Sequence, residues 1–194
     1  SNAVAAKMVE HITAVLREKD ACSLVLSGGS TPRKLHELLA SASYKRRIDW
    51  TRIHIYFGDE RFVPLSDKRS NANMAFETLL NHVPVLPEHI HIMPTENIEP
   101  ATAAVAYETL LRAQFHQPLV ATDLPPQTFD LVLLGMGDDG HTLSLFPGKT
   151  EVIHETKKWC TQLWLQEQDM FRITLTHPVV NQAAAVFFLV STSC

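Results

Sequence analysis

The residue with the most chemical promise is a histidine set directly behind a glycine-rich turn. In Phe129-Asp-Leu-Val-Leu-Leu-Gly-Met-Gly-Asp-Asp-Gly-His141, an apolar run from Leu131 to Leu134 gives way to three glycines and two acids before His141. An unbroken apolar run bounded by turn residues reads as a strand buried on both faces. Groups just past the carboxyl ends of such strands are where open parallel sheets place their ligands. An imidazole titrates near neutrality, so His141 there suits proton transfer in either direction. Asp139 or Asp138 is near enough in the chain to fix its tautomer. Charge developing on a substrate oxygen would need donors, either backbone N–H groups of the turn (Gly137, Gly140) or an arginine.

Two look-alike motifs overlap this stretch. Gly135-Met-Gly137-Asp-Asp-Gly140 fits G-x-G-x-x-G after a strand, the pattern of a dinucleotide site. Pro147-Gly148 stops any long helix that could point its N-terminus at a pyrophosphate, and Asp138 and Asp139 would repel one. Gly148-Lys149-Thr150 imitates the end of a P-loop, but Leu143 stands where its first glycine must be. Neither nucleotide reading holds.

A second constellation lies near the start. Cys22 to Leu26 reads as a short buried strand running into Ser27-Gly28-Gly29-Ser30-Thr31-Pro32. Glycines allow close backbone approach, the hydroxyls can cap, and Pro32 suits the first turn of a helix whose apolar face is Leu35, Leu38, Leu39 and Ala42. Free N–H groups and the positive end of the helix dipole then face an anion, phosphate above all. The plainer reading is a well-capped turn. A third group, Gly58-Asp59-Glu60-Arg61-Phe-Val-Pro64, closes the strand Arg52–Phe57 with a dense cluster of charge. Arg61 could grip a phosphate or carboxylate while Asp59 and Glu60 orient it or bind sugar hydroxyls, or the cluster is simply solvated.

The elements that must position these groups follow from periodicity. Val4, Met8, Ile12 and Val15 predict an opening helix ending near Asp20. Ser70-Asn-Ala-Asn73 predicts a helix start, with Asn71 or Asn73 as capping residues. His89 to Ile92 predicts a short strand; its two histidines lack a third ligand nearby, which favours a solvated edge over a metal site. Further expectations are a helix over Ala101–Phe115, a loop over Pro118–Gln127, strands over Trp159–Leu165 and Phe171–Thr176, a short helix from His177-Pro178, and an apolar strand over Ala184–Val190. Strands alternating with helices predict an α/β fold, a mostly parallel sheet with helices on both faces.

Composition narrows the partners. The 194 residues suffice for one domain with a substantial core, and a net charge of −4 gives no reason to propose nucleic acid or an anionic membrane. No apolar stretch reaches spanning length and no signal-peptide pattern is present. Cys22, Cys160 and Cys194 are odd in number and scattered, which suits reduced thiols and a cytoplasmic setting. Ser1-Asn2-Ala3 reads as a tag remnant, leaving residues 4–194 as a single domain.

Taken together, Ser27-Gly-Gly-Ser-Thr-Pro32, Gly58-Asp-Glu-Arg-Phe-Val-Pro64, Ser70-Asn-Ala-Asn73, Leu134-Gly-Met-Gly-Asp-Asp-Gly-His-Thr142 and Arg172-Ile-Thr-Leu-Thr176 resemble, in order, the motifs of the superfamily that holds 6-phosphogluconolactonase and glucosamine-6-phosphate isomerase/deaminase. The resemblance runs from about residue 24 to the end of the chain. It implies a Rossmann-like sandwich, hydrolysis of 6-phospho-D-glucono-1,5-lactone in the oxidative pentose phosphate pathway, a small phosphorylated sugar lactone as partner, and no metal or organic cofactor. It also brings Asn73 and Arg172 among the substrate contacts. In the isomerase branch the stretch after the histidine typically reads Gly-His-Ile-Ala-Phe-Asn-Glu, and the glutamate assists ring opening; here Phe146 falls at that position, which points to the lactonase branch. An isomerase, or a sugar-phosphate binder without chemistry, is the alternative. Leu143 stands where the lactonases usually have alanine, and Gln168-Asp169-Met170 where prolines are common. Family members also continue beyond Val186–Val190 with a phosphate-contacting lysine, so the chain is expected to be shortened at its C-terminus.

Overall fold

In the computed structural model of the chain, residues 2–118 and 123–190 are described. Part of the loop expected over Pro118–Gln127, and Cys194, lie outside them. The first helix, α1 (Asn2–Glu18), begins inside the tripeptide set aside above and buries Ala5, Met8, Val9 and Ile12. It leads to β1 (Cys22–Leu26), α2 (Ser30–Ala40), β2 (Ile53–Phe57) and β3 (Asp59–Arg61). After β3 come α3 (Asn71–Ala75), continued by a π-helical stretch Phe76–Leu80, then β4 (Ile90–His91), α4 (Pro100–Gln114) and β5 (Leu131–Gly135). The chain ends through α5 (Thr150–Ile153), β6 (Cys160–Leu165), β7 (Met170–Leu175), α6 (His177–Asn181) and β8 (Val186–Leu189).

Five strands form a parallel sheet in the order β4-β2-β1-β5-β8, and β3, β7 and β6 form a separate antiparallel sheet. This is the expected α/β class with one addition, since the charged Asp59–Arg61 segment is a strand rather than a loop. Its backbone pairs with β7 in the register Glu60↔Ile173. Pairing across more than a hundred residues overrides the local polarity that reads as solvated.

The parallel sheet is buried on both sides by strict alternation. Leu24 and Leu26 of β1, Ile53, Ile55 and Phe57 of β2, and Leu131 and Leu133 of β5 share one core with residues of α1, α2 and α3. Val25, Tyr56, Val132 and Leu134 point the other way, into a core shared with α4 and the antiparallel sheet. So one face carries helices, and the other carries α4 and the short α6 beside the smaller sheet. The four residues Leu131 to Leu134 are all buried, and truncating one of the three leucines to alanine would cost about 2–5 kcal/mol.

The strand expected over His89–Ile92 shrinks to Ile90–His91, because Pro87–His89 closes a 3-10 turn in which the His89 N–H donates to the Leu86 carbonyl at 2.9 Å. It is the edge strand of the sheet, as expected, and its histidines are half-buried. His54 stacks on His89 with ring centroids 3.8 Å apart and on His91 at 5.5 Å, and His91 stacks on the buried Tyr56. Among the described residues no helix is long and apolar enough to cross a membrane.

Candidate active site

The strand order reverses direction at one place. From β1 the chain moves outward to β2 and β4, whereas β5 and β8 build on β1's other side. Loops leaving β1 and β5 therefore diverge and open a crevice at their carboxyl ends, the general ligand position in open α/β sheets. A cavity of about 240 Å³ lies there, lined by the Ser27–Pro32 turn, Gly135 to Gly137, His141, Asp59, Arg61, Asn71 and Arg172.

On the β1 side, Gly29 adopts φ +108, which an L side chain rarely tolerates, and its carbonyl accepts from the Arg33 N–H at 3.0 Å. This turn launches α2 with no side-chain cap, so its first N–H groups and the Ser30 and Thr31 hydroxyls face the cavity as an anion cradle. Ser27 plays a different part. Its hydroxyl donates to the Leu133 carbonyl at 2.6 Å and ties the turn to β5. Gly28 must be glycine, since a Cβ would sit 1.8 Å from Asn71 Oδ1.

On the β5 side, Asp139 Oδ1 lies 2.5 Å from His141 Nδ1 and also accepts from the His141 backbone N–H at 3.1 Å. The bond to the imidazole holds the Asp139 carboxyl below the usual carboxylate range. A carboxylate only accepts, so the contact selects the tautomer of the neutral imidazole with its proton on Nδ1 and its lone pair on Nε2. Gly137 touches the ring edge so closely that a Cβ would lie 2.2 Å from His141 Cε1. The two glycine amides expected as oxyanion donors are engaged within the turn: the Gly137 N–H donates to the His141 carbonyl and the Gly140 N–H to the Gly137 carbonyl, both at 2.9 Å. Gly140, at φ +82, shapes the turn and does not line the cavity.

The cavity wall opposite comes from β3 and β7. Asp59 is buried, and both its oxygens are engaged: Oδ2 accepts from Ser144 Oγ at 2.7 Å and Arg172 Nη1 at 3.4 Å, and Oδ1 from Asn71 Nδ2 at 3.2 Å. Arg172 also donates to Gln168 Oε1 at 2.6 Å. Burial lowers the Arg172 guanidinium's hold on its proton, and Asp59 counters that. Arg61 donates to the Arg69 carbonyl at 2.8 Å. Nε of Arg61 and Nε of Arg172 are both buried without a hydrogen-bond partner, an arrangement that favours an incoming anion. Glu60, adjacent in sequence, is no substrate group. Its carboxylate accepts from the N–H groups of Arg61, Asn71 and Ala72 at 2.7–2.8 Å and from Ser70 Oγ, capping α3, while burial pushes its carboxyl up.

Of the residues expected at the site, Asn73 is turned away. Its side chain donates to the Asp67 carbonyl at 3.3 Å, and Asn71 lines the cavity instead. Asn71, Ser144 and Gln168 were not singled out as site residues by sequence; of these only Asn71 carried a signal, as one of two asparagines at a helix start. Among the described residues no group of three or more His, Cys, Asp or Glu is arranged to hold a metal ion.

The family profile for glucosamine-6-phosphate isomerases/6-phosphogluconolactonase matches residues 1–193. The chain belongs to this family. It is 36% identical over 184 residues to a 6-phosphogluconolactonase of Nostoc sp., covering 95% of this chain and 72% of the relative. To the Synechocystis 6-phosphogluconolactonase it is 39% identical over 181 residues, covering 93% and 71%. Its fold superposes on the crystal structure of the 6-phosphogluconolactonase from Thermotoga maritima with a TM-score of 0.82 at 31% identity, over 96% of this chain and 78% of that one. A monomeric glucosamine-6-phosphate deaminase also superposes, at a TM-score of 0.73 but only 18% identity, which speaks to the shared fold alone. Membership of the family thus leaves the choice between its two reactions to the residues of the cavity.

Proposed function

We propose that this chain hydrolyses 6-phospho-D-glucono-1,5-lactone to 6-phosphogluconate, the lactonase step of the oxidative pentose phosphate pathway. One observation supports the reading: His141, which Asp139 holds from behind, lines the same cavity as the N-terminus of α2 and two guanidinium groups. The phosphate docks on the Ser30–Thr31 end of α2 and on Arg61 or Arg172, where N–H donors and positive charge converge. Nε2 of His141 takes a proton from water as the water adds to the lactone carbonyl. The imidazolium, stabilised by Asp139, then returns a proton to the ring oxygen as the C–O bond breaks. With the Gly137 and Gly140 amides engaged within the turn, negative charge on the carbonyl oxygen is met by a guanidinium.

Ring opening of an amino sugar would require a free acid beside the histidine. Among the described residues lining the cavity the only carboxylate is Asp59, and Ser144, Arg172 and Asn71 already hold it. The side chain stacked on His141 is Phe146. The deciding experiment supplies freshly generated lactone and follows acid release. Turnover above the spontaneous rate is expected, with no ammonia from glucosamine 6-phosphate. Ammonia release, or lactone binding without turnover, would overturn the reading.

A further inference from the structure

His141 is only partly buried, with 26% of its side chain exposed, and the tie to Asp139 is a single contact to a carboxylate that is itself half exposed. A histidine held by one such bond would rotate about χ1 and χ2. Two further surfaces restrain it. The Cε1–Nδ1 edge lies against Gly137, and the ring plane stacks on Phe146 with centroids 4.1 Å apart and planes 27° apart. Phe146 in turn packs with Leu145 on a small separate core of Val152, Leu163 and Leu165, contributed by α5 and β6. The Arg172 guanidinium carbon stands 5.8 Å from the centre of the same phenyl ring. One aromatic side chain therefore touches both the imidazole and a cation of the cavity, and it rests on apolar groups that take no part in either main core.

We propose that Phe146 is a positioning residue for the reaction: its ring clamps the His141 imidazole against Gly137 and Asp139 so that Nε2 stays aimed into the cavity. The proposal rests on the lactonase reading for its kinetic consequence. The apolar cluster under β6 then has a task beyond stability, since it sets the height of the phenyl ring and through it the plane of the imidazole. A face occupied by phenyl is also closed to water, leaving the cavity side as the direction from which a proton reaches Nε2.

The test compares F146L and F146M with the aromatic control F146Y. In the non-aromatic variants kcat should fall about 10- to 100-fold while KM stays within about twofold, the split expected when geometry at the reacting atom is lost and substrate binding is kept. Nitrogen-detected NMR of the His141 ring, which needs no substrate, should show the Nδ1–H form in the unsubstituted protein and in F146Y, and a mixture of tautomers in F146L and F146M. Unchanged kcat, a rise in KM alone, or a loss of kcat with the tautomer preserved would each overturn the proposal. So would unfolding of both non-aromatic variants by circular dichroism beside a folded F146Y, which would assign Phe146 to the core. Should the unsubstituted protein fail to hydrolyse the lactone, the proposed reaction falls, and the tautomer measurement still judges the clamp.

Discussion

Ser144 Oγ donates to Asp59 Oδ2 at 2.7 Å, bolting the loop that follows His141 to the strand that carries Arg61. Both partners are buried, Ser144 completely. The bond joins segments 85 residues apart, and with Arg172 on the same oxygen it sets the far wall of the cavity relative to the imidazole.

Removing that hydroxyl leaves Asp59 Oδ2 with Arg172 alone, at 3.4 Å. S144A is expected to lower unfolding stability by about 1–3 kcal/mol, the cost of a buried carboxylate that loses a donor. Urea denaturation of the two proteins checks it, and an unchanged midpoint would show that the bolt carries no strain.

The Asp139–His141 pair predicts an ordered loss of rate. H141A should lower kcat about 10²–10⁴-fold, the usual worth of a general base, while calorimetry still detects 6-phosphogluconate binding through the α2 turn. D139N puts an amide beside Nδ1 that can donate to it and so favour the wrong tautomer; kcat should fall with little change in KM.

Gly137 and Gly140 separate packing from backbone strain. In G137A the new methyl would meet His141 Cε1 at 2.2 Å, and a side-chain ring can move aside. The fold is expected to survive while kcat drops about 10²-fold from the displaced imidazole. G140A meets nothing within 4 Å but sits at φ +82, so the cost is a strained turn of about 1–2 kcal/mol with a smaller effect on rate. Thermal melts beside steady-state kinetics distinguish the two.

Stability should depend on pH through buried histidines. Burial, followed by the neighbouring Arg33 charge, lowers the His36 imidazole from 6.5 to about 4. Burial with His54 and His89 lowers His91 to about 4, and burial with His89 lowers His54. The folded-state values lie below those of the unfolded chain, so as the solution is acidified the unfolded chain binds protons that the fold refuses. Stability is therefore level above about pH 6.5 and falls between there and about 4. His36, fully buried, accounts for about 2 kcal/mol of that loss by pH 5. Urea midpoints at pH 7 and pH 5 measure the slope, which H36F should flatten.

What the sequence made legible was local. Leu131–Leu134 with its glycine turn announces a buried strand and a sharp exit because both signals lie within a dozen residues. The Ser27–Pro32 turn announces a helix N-terminus for the same reason. Asp59–Arg61 did not read as a strand, since the strand it pairs with, β7, lies far along the chain. Asn71 and Asn73 look alike at the start of a helix; the distinction lies in a glycine 43 positions earlier whose missing Cβ makes room for the Asn71 amide. Leu143 takes φ +54 and packs on Gly58, a strained conformation with no sequence signature. Gln168 reaches Arg172 only because Asp169, at φ +50, turns the β6–β7 hairpin back on itself.

The two walls of the cleft hang from neighbouring strands, β1 and β5, whose backbones are laddered at Leu24↔Leu131 and Val25↔Val132. Adjacent rungs of one sheet cannot drift apart, so the turns that carry the cradle and the imidazole leave the sheet at a fixed spacing. The protein thus works as a gauge. On the proposed reaction, a sugar whose charged end and reactive carbon are separated by one carbon too few is expected to satisfy the cradle or the histidine, but not the two at once.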